Sequence, residues 1–282
     1  MLKNEIYIVT GSTGGLGRAT ARELASHGAT VVLNDLGEEG ESDAVTLQEE
    51  MEERTGSATV HLGDVTEMEY AEELIDDTVT KHGRLDGVVN FAGILRDSYL
   101  TEMTESEWDQ VIDVHLRGHF NLLRSAARRW KETAEARSAG RSFLTVASPS
   151  AFGNSGQANY SAAKAGVLGL TRTAAIELQR YDVRVNALVP IAHTQMTEAF
   201  LDAAEYPPEN VAPVAAFLLS EAAAGVTGCT VEAAGDGVGL RSNPEIERIA
   251  FEDDGWSLED LADRFEATLG SQTSLDRSET QT

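Results

Sequence analysis

The sequence predicts an α/β protein: a doubly wound parallel sheet of about seven strands with helices on both faces. Three observations carry that expectation. Short β-branched runs alternate with longer helical periodicities along most of the chain. A glycine cluster follows the first run at once, and an acidic residue closes the second. A later helical stretch, A-N-Y-S-A-A-K, carries Tyr160 and Lys164 at i and i+4, which share one helix face.

The 282 residues suit one large domain or two small ones, and 41 % hydrophobic content gives a globular chain. Asp and Glu number 47 against 22 Lys and Arg, a formal charge of -25. Nucleic acid and anionic membranes are poor partners for such a surface. The lysines are confined to Lys3, Lys81, Lys131 and Lys164. An acidic, lysine-poor chain fits a salt-rich cytoplasm, and a halophilic source is expected. Cys229 stands alone, so no internal disulfide or thiolate cluster is possible. No secretory leader precedes the first apolar run, and no run reaches transmembrane length, so a cytoplasmic location is expected. The scattered histidines suggest no metal.

Residues 5–10 read as a buried strand. Gly11, Gly14, Gly15 and Gly17 follow, then a helix over 16–27 and a second strand over 30–34 ending at Asp35. Strand, glycine turn, helix, strand and acidic residue form a Rossmann-like dinucleotide-binding unit. The glycines let backbone approach a pyrophosphate, and the helix N-terminus attracts its charge. Asp35 is expected to accept the adenine-side ribose hydroxyls and to repel a 2′-phosphate, which favours NAD over NADP. A charged helix spans 43–54, and a third strand spans 58–62. Asp64 and Val65 then lie at the ligand edge of the sheet. Asp64 either binds the adenine amino group or caps the next helix, 68–82, with Thr66 as a competing cap. The fourth strand, 85–90, opens into Asn90, Phe91, Ala92 and Gly93, small enough for close contact with a flat cofactor, although Asn90 also suits a structural turn.

Residues 104–129 carry one long helical pattern, with Thr104 as cap and Glu107 at N3. Trp108, Val111, Ile112, His115, Leu116 and Phe120 repeat at spacings near 3 and 4, with His115 on or beside that face. A fifth strand (141–147), a polar loop (148–159), the Tyr160 helix through residue 177 and a sixth strand (183–189) ending at Pro190 follow. Residues 191–208, with Thr194, Met196, Phe200 and Tyr206, are expected to cover the substrate. A helix over 210–220 and a last strand over 229–233 complete a single domain of residues 1–240. Residues 241–270 form an extension with one short acidic helix over 256–269, capped by Ser257 with Asp260 at N3, and 271–282 read as a disordered tail.

With these pieces in order, the chain resembles the short-chain dehydrogenase/reductase family over about residues 4–240. Thr10, Gly11, Gly15 and Gly17 match T-G-x-x-x-G-x-G, Asn90, Ala92 and Gly93 match N-N-A-G, and Tyr160 and Lys164 match Y-x-x-x-K. Asn34-Asp35-Leu36, residues 94–97, 113–118 and 156–164 are similar to the (3R)-hydroxyacyl-CoA dehydrogenase unit of peroxisomal multifunctional enzymes. The same residues are similar to 3-oxoacyl-carrier-protein reductases and some hydroxysteroid dehydrogenases.

The resemblance implies an NAD-dependent oxidoreductase acting on a secondary alcohol or its ketone: a hydroxyacyl thioester, a steroid or a small cyclic alcohol. Tyr160 would be the acid/base. Lys164 would lower the tyrosine pKa and hold the nicotinamide ribose, and a serine would orient the substrate oxygen. The family serine falls at Ala147, so Ser148 takes the role, Ser150 is the second candidate, and a site without a serine stays open. His115 stands where the family places an asparagine that steadies the lysine. Gly11, Thr13, Gly15, Leu16, Gly17, Asp35, Leu36, Asp64, Val65, Asn90, Phe91, Ala92, Gly93, Tyr160, Lys164, Pro190 and Thr194 would hold the cofactor. The alternative is an NAD-binding homologue with little or no catalysis, motivated by Ala147, Phe91 and Ile191. Wide apolar stripes over 108–130 and 160–178 add to the family expectation of a homo-oligomer, a tetramer or dimer.

Overall fold

The computed structural model describes residues 2–54, 57–134, 140–253 and 255–270. The chain divides into two compact units, Met1–Arg241 and Ser242–Thr282. The first unit is built on strands β1 (Ile6–Thr10), β2 (Thr30–Asn34), β3 (Ser57–Val60), β4 (Gly87–Asn90), β5 (Arg141–Val146), β6 (Val183–Ile191), β7 (Thr230–Ala234) and β8 (Gly237–Arg241). They form one sheet in the order β3-β2-β1-β4-β5-β6-β7-β8. Every pairing is parallel except β7 with β8.

Alternation along each strand sends neighbours to opposite faces. Val9, Val31 and Leu33 pack beneath α1 (Gly15–Ser26), α2 (Gly37–Arg54) and α7 (Ala212–Leu219), through Leu24, Leu47 and Leu218. Ile8, Val32 and Val88 pack on the other face beneath α3 (Met68–His82), α5 (Gly118–Glu132) and α6 (Ala158–Leu178), through Leu74, Leu122 and Leu178. Both faces of the sheet are therefore covered, as a parallel sheet requires.

An eighth strand, β8, extends the sheet of about seven that was expected. The run G-V-G-L-R puts Val238 and Leu240 on one face, and that face is exposed rather than packed on the core. It forms because a two-residue turn at Gly235 and Asp236 folds it back onto β7, where backbone pairing rather than burial holds it. The long helix expected over 104–129 is corrected. It is α4 (Glu105–Ile112), a π-turn Asp113–Arg117, and α5. The π geometry shows in the bond from Gly118 N–H to the Asp113 carbonyl, one residue longer than an α-helical bond. The Thr104 and Glu107 capping box at the start of α4 is present as expected. The cap proposed for α3 is not: Glu67 takes that position, and Asp64 Oδ1 instead accepts from Thr66 N–H at 2.8 Å.

In the second unit, α8 (Leu258–Thr268) begins in the expected capping box of Ser257 and Asp260. Arg264 pairs with Glu252 and stacks on Trp256, 5.0 Å from its ring centre. The tail expected at 271–282 lies outside the described residues.

Candidate active site

Strand order reverses at β1, between β2 and β4, and a ligand crevice opens at such a switch beyond the C-terminal strand ends. The glycine turn fills this position. Gly11 sits at φ +60°, a left-handed conformation that suits glycine. A Cβ on Gly17 would lie 2.1 Å from the Gly11 carbonyl, so the chain crosses itself there only because Gly17 has no side chain. The N-cap of α1 is Gly14, with no side-chain cap and no acidic residue in the first turn. Its free N–H groups and positive dipole end fit a pyrophosphate. Asp35, just past β2, is held by Thr13: Oδ2 accepts from the Thr13 N–H (2.9 Å) and hydroxyl (2.6 Å), and Oδ1 accepts from Leu36 N–H (2.9 Å). The carboxylate is thus fixed beside the turn. These features fit a dinucleotide.

The remaining cofactor candidates divide. Phe91, Ala92 and Gly93 follow β4 and are partly buried. Leu16 is partly buried on α1, Leu36 is exposed, and Val65 packs its side chain into the core. Pro190 lies near the end of β6, and Thr194 rests over Gly15, its methyl 3.1 Å from where a Cβ would stand. Asn90 is fully buried and braces the crevice from within, the structural role the sequence left open. Its Oδ1 accepts from the Thr10 hydroxyl (2.5 Å) and Ala92 N–H (3.1 Å).

Tyr160 and Lys164 lie on the first turns of α6. Asn159 fixes that start: its amide donates to the carbonyls of Arg96 (2.9 Å) and Glu107 (3.0 Å) while its Oδ1 accepts from Tyr160 N–H (2.7 Å). The Ser148 hydroxyl hydrogen-bonds the Tyr160 phenol. β5 ends at Val146, and Ser148 keeps an extended backbone and caps the 3-10 segment Pro149–Phe152 that follows. Ser150 instead donates to Gln157 Oε1 at 2.8 Å. The His115 ring stands edge-on to Tyr160, centroids 4.9 Å apart. Its Nε2 meets the backbone of Ile94, 3.1 Å from the N–H and 2.8 Å from the carbonyl. The four residues expected to be catalytic therefore share one cluster.

Lys164 is buried, donates to the Val146 carbonyl at 2.7 Å and lies 5.5 Å from the Tyr160 ring centre. Burial holds its pKa down at about 7. Burial raises Tyr160 above its usual value, and the Ser148 hydrogen bond offsets only part of that.

Sequence reasoning missed His119. It is fully buried on α5, and burial followed by the Lys164 charge holds its pKa at about 3. Val146 N–H donates to its Nε2 (3.0 Å), so Nδ1 carries the proton and donates to the His115 carbonyl (2.5 Å). The Val146 peptide thus joins His119 on one side to Lys164 on the other. These contacts join residues far apart in the chain, so periodicity gave no signal.

The sequence family described as enoyl-(acyl carrier protein) reductase matches residues 11–235. Hydroxyacyl-CoA dehydrogenase ChsB1 of Mycobacterium tuberculosis is 41 % identical over 273 residues, covering 91 % of this chain and 85 % of that protein. A (3R)-3-hydroxyacyl-CoA dehydrogenase of Rattus norvegicus is 38 % identical, covering 83 % and 96 %. The crystal structure of a short chain dehydrogenase from Mycobacterium avium superposes with a TM-score of 0.87 at 34 % identity, covering 95 % of each chain. Sequence match and shared fold together make this chain an oxidoreductase of the short-chain dehydrogenase/reductase family, whose members work with a nicotinamide nucleotide.

Proposed function

We propose that the chain interconverts the secondary alcohol of a hydroxyacyl thioester and its ketone, with NAD as cofactor. The reading is carried by the Tyr160 phenol, hydrogen-bonded to Ser148 and backed by Lys164 and His115 at the strand ends. The relatives named for hydroxyacyl-CoA oxidation support the substrate class. The turn from Gly11 to Gly17 would take the pyrophosphate, and Asp35 with Leu36 the adenine-side ribose. Asp64 and Val65 would flank the adenine. Phe91, Ala92, Gly93, Pro190 and Thr194 would flank the nicotinamide half. The bound nucleotide supplies hydride acceptance and donation at its nicotinamide ring.

The chain's own residues handle the proton. In reduction, the neutral Tyr160 phenol donates to the carbonyl oxygen while Ser148 hydrogen-bonds the developing alkoxide. In oxidation, Tyr160 must first lose its proton and then takes the one from the hydroxyl. Because its pKa is raised, the phenol is the resting form at neutral pH. Reduction should thus hold through neutral pH, and oxidation should climb as pH rises.

Steady-state assays with short 3-hydroxyacyl-CoA substrates test the reading. NAD should exceed NADP in kcat/KM by about a hundredfold, since a 2′-phosphate would face the Asp35 carboxylate. Asp35→Asn should narrow that ratio. Tyr160→Phe should lower kcat by about a thousandfold while NAD still binds. Unchanged turnover in Tyr160→Phe would leave a dinucleotide-binding protein in which this site does not act as catalyst.

A further inference from the structure

Three side chains that the proposed oxidoreductase site does not use converge between the exit of β3 and the solvent face of α3. Glu73 and Asp77 stand at i and i+4 on α3 and so share one face. One carboxylate oxygen from each and one ring nitrogen of His61 all lie within 4.8 Å of one another.

The His61 ring is fixed from behind. Tyr70 accepts from the Asn34 amide at 2.8 Å, and its hydroxyl lies 3.0 Å from both the His61 carbonyl and His61 Nδ1. A phenol has one proton and two lone pairs. With that proton on the His61 carbonyl, the ring donates from Nδ1 to the remaining lone pair. Nε2 then keeps its own lone pair facing Asp77 Oδ2, with Glu73 in the same cluster. In that tautomer the three side chains present a nitrogen and two carboxylate oxygens to a cation.

The separation within the cluster suits a metal ion as well as a proton. Nε2 lies 3.4 Å from Asp77 Oδ2. A strong N–H···O bond spans about 2.7–3.2 Å. Two ligands on a tetrahedral ion with bonds of about 2.0–2.2 Å stand roughly 3.3–3.5 Å apart. The backbone is anchored on both sides. His61 N–H donates to the Leu33 carbonyl at 3.0 Å, and α3 is seated by Ala71, Leu74 and Ile75. Imidazole with two carboxylates suits zinc-like ions, whereas calcium and magnesium favour all-oxygen shells. Lys81 and His82 border the same hollow, but the Lys81 ammonium has no lone pair to offer and His82 Nε2 faces the Thr59 hydroxyl at 3.4 Å, so neither joins the ligand set.

We propose that His61, Glu73 and Asp77 form a binding site for a divalent transition-metal ion of the zinc type. The ion would clamp β3 to α3. Through Tyr70 and Asn34 it would also brace the strand end that carries Asp35. Tyr70 acts here as the outer hydrogen-bond partner that orients the ligating ring.

The test uses the full chain, stripped with chelator and titrated calorimetrically with zinc chloride, with cobalt chloride as a spectroscopic probe. One zinc per chain should bind, with a rise in melting temperature, and cobalt should give the visible bands of a tetrahedral site. Asp77→Asn and His61→Ala should abolish saturable binding. Tyr70→Phe should weaken it about tenfold. Circular dichroism melts without metal identify any variant that does not fold, and the exposed Asp77 provides a variant that leaves the packing intact. No saturable binding in wild type, or binding that survives both Asp77→Asn and His61→Ala, overturns the site and leaves a His61 and Asp77 ion pair on an acidic surface. NAD binding measured without metal is independent of this outcome, so failure here and failure of the oxidoreductase reading are distinguishable.

Discussion

Lys164 shows how far the active cluster departs from what favours stability. Its folded pKa, about 7, lies below the unfolded value of about 10.4. Between those values the unfolded chain binds more protons, so this residue makes stability rise with pH through that window. Lys164→Met should therefore raise stability at pH 6 by about 2 kcal/mol while removing activity. Thermal melts should show the gain shrinking toward pH 10, and a destabilised variant at pH 6 would contradict the assignment. His119 works on the acid side with the same sign. Its folded pKa of about 3 lies below the usual histidine value, so the unfolded state takes up a proton first as pH falls through about 6.5. Melting temperature should fall from pH 7 toward pH 4, with a shallower slope in His119→Asn. His119→Val should cost about 2–3 kcal/mol, because Val146 N–H and the His115 carbonyl would lose a buried partner.

At the scale of elements, the π-turn and the 3-10 turn after β5 set the geometry around Tyr160. A Cβ on Gly93 would stand 2.6 Å from His115 Cε1, within the π-turn. Gly93→Ala should push that ring toward Tyr160 and lower kcat by about tenfold to a hundredfold, with thermal stability changed less. Ser148→Ala should lower kcat about a hundredfold, while Ser150→Ala, whose hydroxyl serves Gln157, should change it little. Parallel kinetics on the two variants decide between the serines. Losing the α4 cap in Thr104→Ala should cost about 1 kcal/mol in chemical denaturation, with kcat nearly unchanged.

For the whole molecule, a formal charge of -25 favours expansion at low ionic strength. Raising salt from about 0.1 M to 1 M shortens the screening length from about 10 Å to 3 Å. Melting temperature should rise across that range, and a flat response would argue against adaptation to a salt-rich cytoplasm. Among the described residues, no helix is long and apolar enough to cross a membrane. Trp108 on α4, Phe120 on α5 and Ile176 on α6 remain exposed on the stripes read from the sequence. They fit contact between copies of the chain, and light scattering in high salt should return a dimer or tetramer. A monomer there would remove that proposal.

The sequence alone determined the sheet's alternation, the glycine turn before Asp35, and the pairing of Tyr160 with Lys164. Each depends on local spacing: two residues per strand repeat, 3.6 per helical turn, and the conformational freedom of glycine. Tertiary structure decided what joins residues far apart in the chain. The packing of β5 against α5 and α6 set Ser148 beside Tyr160 and His119 against the Val146 N–H. Burial, which no local pattern states, raised the tyrosine pKa against the effect expected of its neighbouring lysine. Pairing with β7 made a strand of β8, a run whose apolar residues Val238 and Leu240 stay exposed. Convergence of His61, Glu73 and Asp77 likewise needed β3 and α3 to pack, because residues separated along the chain share no periodicity that would reveal a common site.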